Sequence, residues 1–174
     1  AATVLVIDIS NSMKICSTCD NDNDGGRTYY HSSTCPHYNN SFFADNSVKA
    51  DQTRLAEAKK AAKEFVNKYA SSDTGAKRFV SVVLFNYNAS VALEWTDVSI
   101  NNNKTNAINK IDKIGFGTYF AGGTNLEQGL DKAKTQLGLN TVENANVKYV
   151  VALTDGAPTR AGTNSDTSSG SAAI

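Results

Sequence analysis

Four apolar residues running into an acid, Val4-Leu5-Val6-Ile7-Asp8, constrain this chain more than any other stretch. An unbroken run of branched side chains reads as a strand buried on both faces, as found in parallel sheets covered by helices. Just beyond it, Asp8, Ser10 and Ser12 set one carboxylate and two hydroxyls at alternate positions. In open α/β sheets the carboxyl ends of the strands are where ligands bind. An oxygen-only group of this kind suits a hard divalent cation, Mg²⁺ first and Mn²⁺ or Ca²⁺ behind it. Taken alone, D-x-S-x-S reads equally well as a Ser/Asn turn.

A chain of 174 residues is long enough for one domain with a sizeable core. Acidic and basic residues balance at 17 each, so no strong field points toward nucleic acid or an anionic membrane. No segment approaches the length of a membrane span, which argues against direct membrane insertion. The first residues lack the charged start and small-residue cleavage site of a signal peptide. The chain opens almost inside its first strand, as an excised piece of something longer would. Its abundance of Asn, Ser and Thr accords with an extracellular, cell-surface location.

Residues 13–50 break the α/β rhythm and carry every cysteine and both histidines. Cys16-Ser17-Thr18-Cys19 is followed by Cys35-Pro36-His37. Three thiolates and an imidazole can close a tetrahedral Zn²⁺ site. A disulfide from Cys35 to Cys16 or Cys19 is the competing expectation in an oxidising compartment. In the same segment, Asp20-Asn21-Asp22-Asn23-Asp24-Gly25 has the opening of a Ca²⁺ loop. His31 stands where an EF-hand needs its bidentate Glu, so a solvated acidic turn is favoured over a full calcium site.

Regular structure resumes near Asp51. Leu55, Ala58, Ala62, Phe65, Val66 and Tyr69 recur at helical spacing, with Thr53 or Asp51 able to cap the start and Ser71 to Gly75 supplying the stop. Phe79–Phe85 reads as a second buried strand. A short Asn-Tyr-Asn turn leads into Ser90–Trp95, an alternating edge strand that must pair antiparallel with it. Trp95 is expected to pack against the sheet. Residues 100–114 suggest a modest helix carrying Ile108 and Ile111. Gly115 to Asn125 is glycine-rich but lacks the lysine of a P-loop and has no G-x-G-x-x-G opening a helix. A further helix should place Leu126, Leu130, Ala133 and Leu137 on one apolar face. Val147–Thr154 then reads as another buried strand, ending in Asp155-Gly156.

Asp8-Ile9-Ser10-Asn11-Ser12, Gly122-Gly123-Thr124-Asn125-Leu126 and Leu153-Thr154-Asp155-Gly156 now fall on three loops at one sheet edge. In this order and at these separations the set resembles the von Willebrand factor A domain, integrin inserted domains included. The resemblance covers residues 1–12 and about 51–160. It implies a doubly wound, mostly parallel α/β sheet of Rossmann type, with helices on both faces and one antiparallel edge strand. That family's sheet has six strands, so residues 1–174 would form a single domain truncated after its fourth. Residues 13–50 would be an insertion at the rim of the site, and 161–174 a flexible polar tail.

The resemblance further implies a metal-ion-dependent adhesion site. Ser10 and Ser12 would coordinate the ion directly, and Thr124 directly or through water. Asp8 and Asp155 would hold waters and orient hydroxyls. Neutral hydroxyls leave the cation's charge under-compensated, so an Asp or Glu of a protein partner would complete its coordination. The implied module is a non-enzymatic adhesin, similar to the pilus-tip adhesins of Gram-positive surfaces, with a host extracellular-matrix protein among its candidate partners. Two alternatives remain at this stage. One is a Mg²⁺-dependent phosphatase of the haloacid-dehalogenase type using Asp8, although Ser10 stands where its second acid belongs. The other is a structural domain with a vestigial metal site.

Overall fold

The computed structural model describes residues 1–14, 53–71, 75–115, 123–156, 159–161 and 165–166. Its centre is β1 (Ala2–Asp8), in which every residue is buried. β2 (Phe79–Phe85) pairs parallel with one edge of β1, from Ala2 opposite Phe79 to Asp8 opposite Phe85. β4 (Lys148–Leu153) pairs parallel with the other edge, from Ala2 opposite Lys148 to Ile7 opposite Leu153. β3 (Ala89–Asp97) turns back antiparallel on β2, giving the order β3-β2-β1-β4. The β2–β3 ladder slips near Val82, where the Ser81 hydroxyl donates to the Leu93 carbonyl at 2.9 Å. A bulge of this kind twists an edge strand locally.

The two-residue period of β1 divides the core. Leu5 and Ile7 face Leu55, Ala62 and Val66 of α1 (Arg54–Ala70) and Ala107 and Ile111 of α2 (Asn101–Asp112). Val4 and Val6 face the other way, toward Val83, Phe85 and Ala133 of α3 (Leu126–Leu137). Helices therefore cover both faces, and the expected α/β architecture with a single antiparallel edge pair is what the chain adopts. Burying side chains such as Leu5, Ile7 and Phe85 contributes about 1.5–3 kcal/mol each.

Local chemistry sets the helix ends that matter for the site. The Thr53 hydroxyl accepts the Ala56 N–H at 3.1 Å and starts α1; the Asn125 side chain accepts the Gln128 N–H at 3.1 Å and starts α3. Gly129 lets α3 lie hard against the sheet. A Cβ built there would stand 3.0 Å from Val6 Cγ1 and 3.1 Å from the Phe85 ring.

Two expectations are corrected. Leu130 is 41% exposed, and the buried residues of α3 are Gly129, Ala133 and Gln136. The helix meets the sheet through its small residues, because close approach leaves no room for Leu130 on that face. β4 is not a buried strand: Tyr149 and Val150 are 54% and 40% exposed. Among the described residues it occupies the outer edge of the four-stranded sheet and pairs with β1 alone. Beyond it, β5 (Arg160–Ala161) and β6 (Ser165–Asp166) form a two-residue antiparallel ladder. Among the described residues no helix is long and apolar enough to cross a membrane.

Candidate functional site

The carboxyl ends of β1 and β4 and the amino end of α3 meet at one place. Asp8, the last residue of β1, is fully buried. Its Oδ1 accepts the Ser10 N–H at 2.8 Å, which folds the chain into a tight turn, and its Oδ2 accepts the Thr154 hydroxyl at 2.7 Å. The turn continues into a single 3-10 turn, Asn11–Lys14, with the Met13 N–H donating to the Ser10 carbonyl at 3.0 Å. Met13 is itself core, at 2% exposure, and so anchors the loop from below.

A chain of hydroxyls crosses the site. The Thr124 hydroxyl donates to Ser10 Oγ at 3.3 Å; Ser10 Oγ and Ser12 Oγ are 3.0 Å apart; the Ser12 hydroxyl donates to Asp155 Oδ1 at 2.9 Å. All five oxygen-bearing residues singled out in the sequence, Asp8, Ser10, Ser12, Thr124 and Asp155, thus belong to one connected network. Ser10, Thr124 and the Asp155 side chain are each less than a tenth exposed.

The loop carrying Thr124 is clasped on two sides. Thr124 N–H donates to the Thr159 hydroxyl at 2.9 Å while Thr159 N–H donates to the Thr124 carbonyl at 3.0 Å. Asn125 N–H donates to the Asn86 carbonyl, just past β2, at 2.7 Å. These partners were not singled out in the sequence. Threonine and asparagine at strand ends are too common to carry a signal.

Electrostatics sharpen the picture. Burial pushes the Asp8 carboxyl above its usual range. The hydrogen bonds from Ser10 and Thr154 oppose that rise, and the charge of Asp155 adds to it. On the far side, Arg54 Nη1 reaches Asp155 Oδ2 at 2.8 Å, with the Arg54 side chain 32% exposed and that of Asp155 7%. Arg54 was also missed in the sequence. It stands 101 positions from Asp155, and nothing linear relates the two.

The donor set is two carboxylates and three hydroxyls, all oxygen, which fits a hard divalent cation such as Mg²⁺ or Mn²⁺ better than a soft one. Among the described residues no group of three or more His, Cys, Asp or Glu comes together, so hydroxyls must supply part of any coordination here. Cys16, Cys19, Cys35 and His37, considered for Zn²⁺ or a disulfide, lie outside the described residues, as does the Asp20–Asp24 stretch considered for Ca²⁺.

Fold and site together define an open, mostly parallel α/β domain whose polar cluster gathers loops from separate parts of the chain at the carboxyl edge of the sheet. The von Willebrand factor type A domain model matches residues 41–173, and the chain belongs to that family. The match begins after β1, so Asp8, Ser10 and Ser12 lie ahead of it, separated by the intervening segment. A comparison with curated proteins finds no match. Among solved structures, the chain is similar to the PilB minor pilin from Streptococcus sanguinis, at 21% identity and a TM-score of 0.58, covering 91% of this chain and 30% of that one. It is similar too to the three N-terminal domains of the type V pili tip protein Mfa5 from Porphyromonas gingivalis. There the identity is 19% and the TM-score 0.57, over 92% of this chain and 20% of that one. The BatB protein from Bacteroides thetaiotaomicron aligns at 15% identity and a TM-score of 0.53, over 86% and 51% of the two chains. At these identities the likeness is one of fold, and this chain spans a fifth to a half of those proteins.

Proposed function

We propose that this domain is a metal-dependent adhesion module. In this reading Asp8, Ser10, Ser12, Thr124 and Asp155 hold a divalent cation, Mg²⁺ or Mn²⁺, at the sheet edge, and an Asp or Glu of a protein partner completes the site. The observation that carries it is the single hydrogen-bonded network joining Thr124 to Ser10, Ser12 and Asp155 across three loops. A cation bound there supplies charge that neutral hydroxyls leave partly uncompensated. Ser10, Ser12 and Thr124 present the oxygens. Asp8, locked by Ser10 and Thr154, holds the first loop in shape. Asp155 orients the Ser12 hydroxyl.

Pilus proteins among the structural neighbours support placing the module on a cell surface, where its sheet edge would face a protein partner. The segment that follows Lys14 would begin close to the Ser12 loop, which suits a role in choosing the partner. The phosphatase alternative is disfavoured by Asp8 itself. A carboxylate that attacks phosphorus needs a free oxygen facing substrate, whereas Asp8 is fully buried with both oxygens engaged.

The test is calorimetric titration of Mn²⁺ into the wild-type protein and Ser10→Ala, beside an assay with a generic phosphate ester. We expect saturable Mn²⁺ binding that Ser10→Ala abolishes or weakens at least about tenfold, as loss of one well-placed ligand does, and no ester turnover. Equal binding by both proteins would refute the site.

A further inference from the structure

The pairing of Arg54 with Asp155 ties the start of α1 to the loop after β4. It also sets the charge of the cluster. Asp8 and Asp155 bring two negative charges and Arg54 one positive charge, all within one hydrogen-bonded group. We infer that Arg54 tunes the site for anions at the expense of the cation, making it a specificity-determining residue for an acidic partner.

This role for Arg54 rests on the adhesion reading above. With Arg54 in place the cluster carries a net single negative charge, so a divalent cation leaves it net positive. Without Arg54 the same cation would neutralise it. Residual positive charge is what an incoming carboxylate is drawn to, and like charge is what a cation must overcome. The arginine thus weakens metal binding and strengthens carboxylate binding, two effects of opposite sign from one residue.

Its position fits the role. Arg54 is the first residue of α1, directly after the Thr53 cap, and its side chain is a third exposed. It lines a groove of about 370 Å³ together with Met13, Glu57, Ala58, Leu153 and Asp155. The groove opens beside the cluster, so a partner's chain flanking its acid would pass the guanidinium. Nη1 is spent on Asp155, and a guanidinium carries further donors able to reach a second carboxylate.

The experiment uses the full chain and two probes, Mn²⁺ by calorimetry and acetate on the Mn²⁺-loaded protein by water-proton relaxation. Arg54→Gln should bind Mn²⁺ about tenfold more tightly, the scale of one unit charge acting on a divalent ion near the surface, and should bind acetate several-fold more weakly. Arg54→Lys, which keeps the charge, should stay near wild type in both. Arg54→Met, which keeps the aliphatic stem, repeats the Gln result and guards against a folding artefact. Lys60→Gln, an exposed change on the same helix, controls for net charge and should move neither. If the Gln and Met variants leave both affinities unchanged, or move both the same way, the inference is overturned while the metal site stands. If the wild type binds no Mn²⁺, the adhesion reading itself falls, and the inference with it.

Discussion

Replacing Gly129 by Ala measures how closely α3 is pressed onto the sheet. In an exposed helix interior the change stabilises by about 1 kcal/mol, because Ala loses less backbone freedom. Here the new methyl would stand 3.0 Å from Val6 Cγ1 and 3.1 Å from two atoms of the Phe85 ring. Neither neighbour can give way easily. Val6 sits on the central strand, and both side chains are fully buried. Overpacking of this type costs about 1–3 kcal/mol, so the net change is a loss of about 1 kcal/mol. With a urea slope of about 2 kcal/mol/M, the unfolding midpoint should fall by about 0.5 M. Gly138→Ala is the internal control. Gly138 has φ −85° and its nearest contact for a Cβ is 3.5 Å, so that variant should be neutral or slightly more stable. A Gly129→Ala protein stabilised by the full helix increment would refute the packing described, and with it the reason Leu130 faces outward.

Further outcomes are expected. Thr53→Ala removes the hydroxyl that accepts the Ala56 N–H and should cost about 1 kcal/mol in chemical unfolding; an unchanged midpoint would show that the cap contributes nothing. Trp95→Phe loses the donation from Nε1 to the Gln136 carbonyl at 2.9 Å and should cost about 1 kcal/mol, although that carbonyl keeps the Leu139 N–H at 3.1 Å. Asp8→Asn probes pH. Burial raises the folded-state pKa of Asp8 above its unfolded value, so its contribution favours folding at low pH and is lost as pH rises through the folded-state value. In the presence of a chelator, Asp8→Asn should therefore gain stability relative to wild type as pH rises from the ordinary carboxylate range through the raised folded-state value. A difference that shrank over that range would contradict the assignment.

Much of this architecture was legible in one dimension because its signals are local. Val4 to Asp8 and Phe79 to Phe85 are apolar runs of strand length, and the α1 stripe repeats at helical spacing, so strand and helix could be placed from periodicity. Asp8 and Asp155 follow apolar strand runs, but Asp8, Ser10, Ser12, Thr124 and Asp155 were legible as a set only through the ordered motifs that resemble the von Willebrand factor A family. What was not legible depends on neighbours. Val147 to Thr154 is as apolar as β1, and nothing in it says that one strand would be central and the other an edge. The outward turn of Leu130 follows from Gly129 meeting Phe85, a contact across 44 positions of chain. Arg54 reads as one more charged residue at a helix start until its distance to Asp155 is known.

The central place of β1 has a consequence for how the molecule is made. Its partners lie 77 and 146 positions further along, at Phe79 and Lys148 for Ala2. β1 therefore leaves the ribosome ahead of both its flanks and meets the second only after a further 146 residues have been synthesised. Pairings between such distant segments form slowly. During that wait β1 is an aggregation hazard, and a holdase that shields it would raise the yield of folded protein.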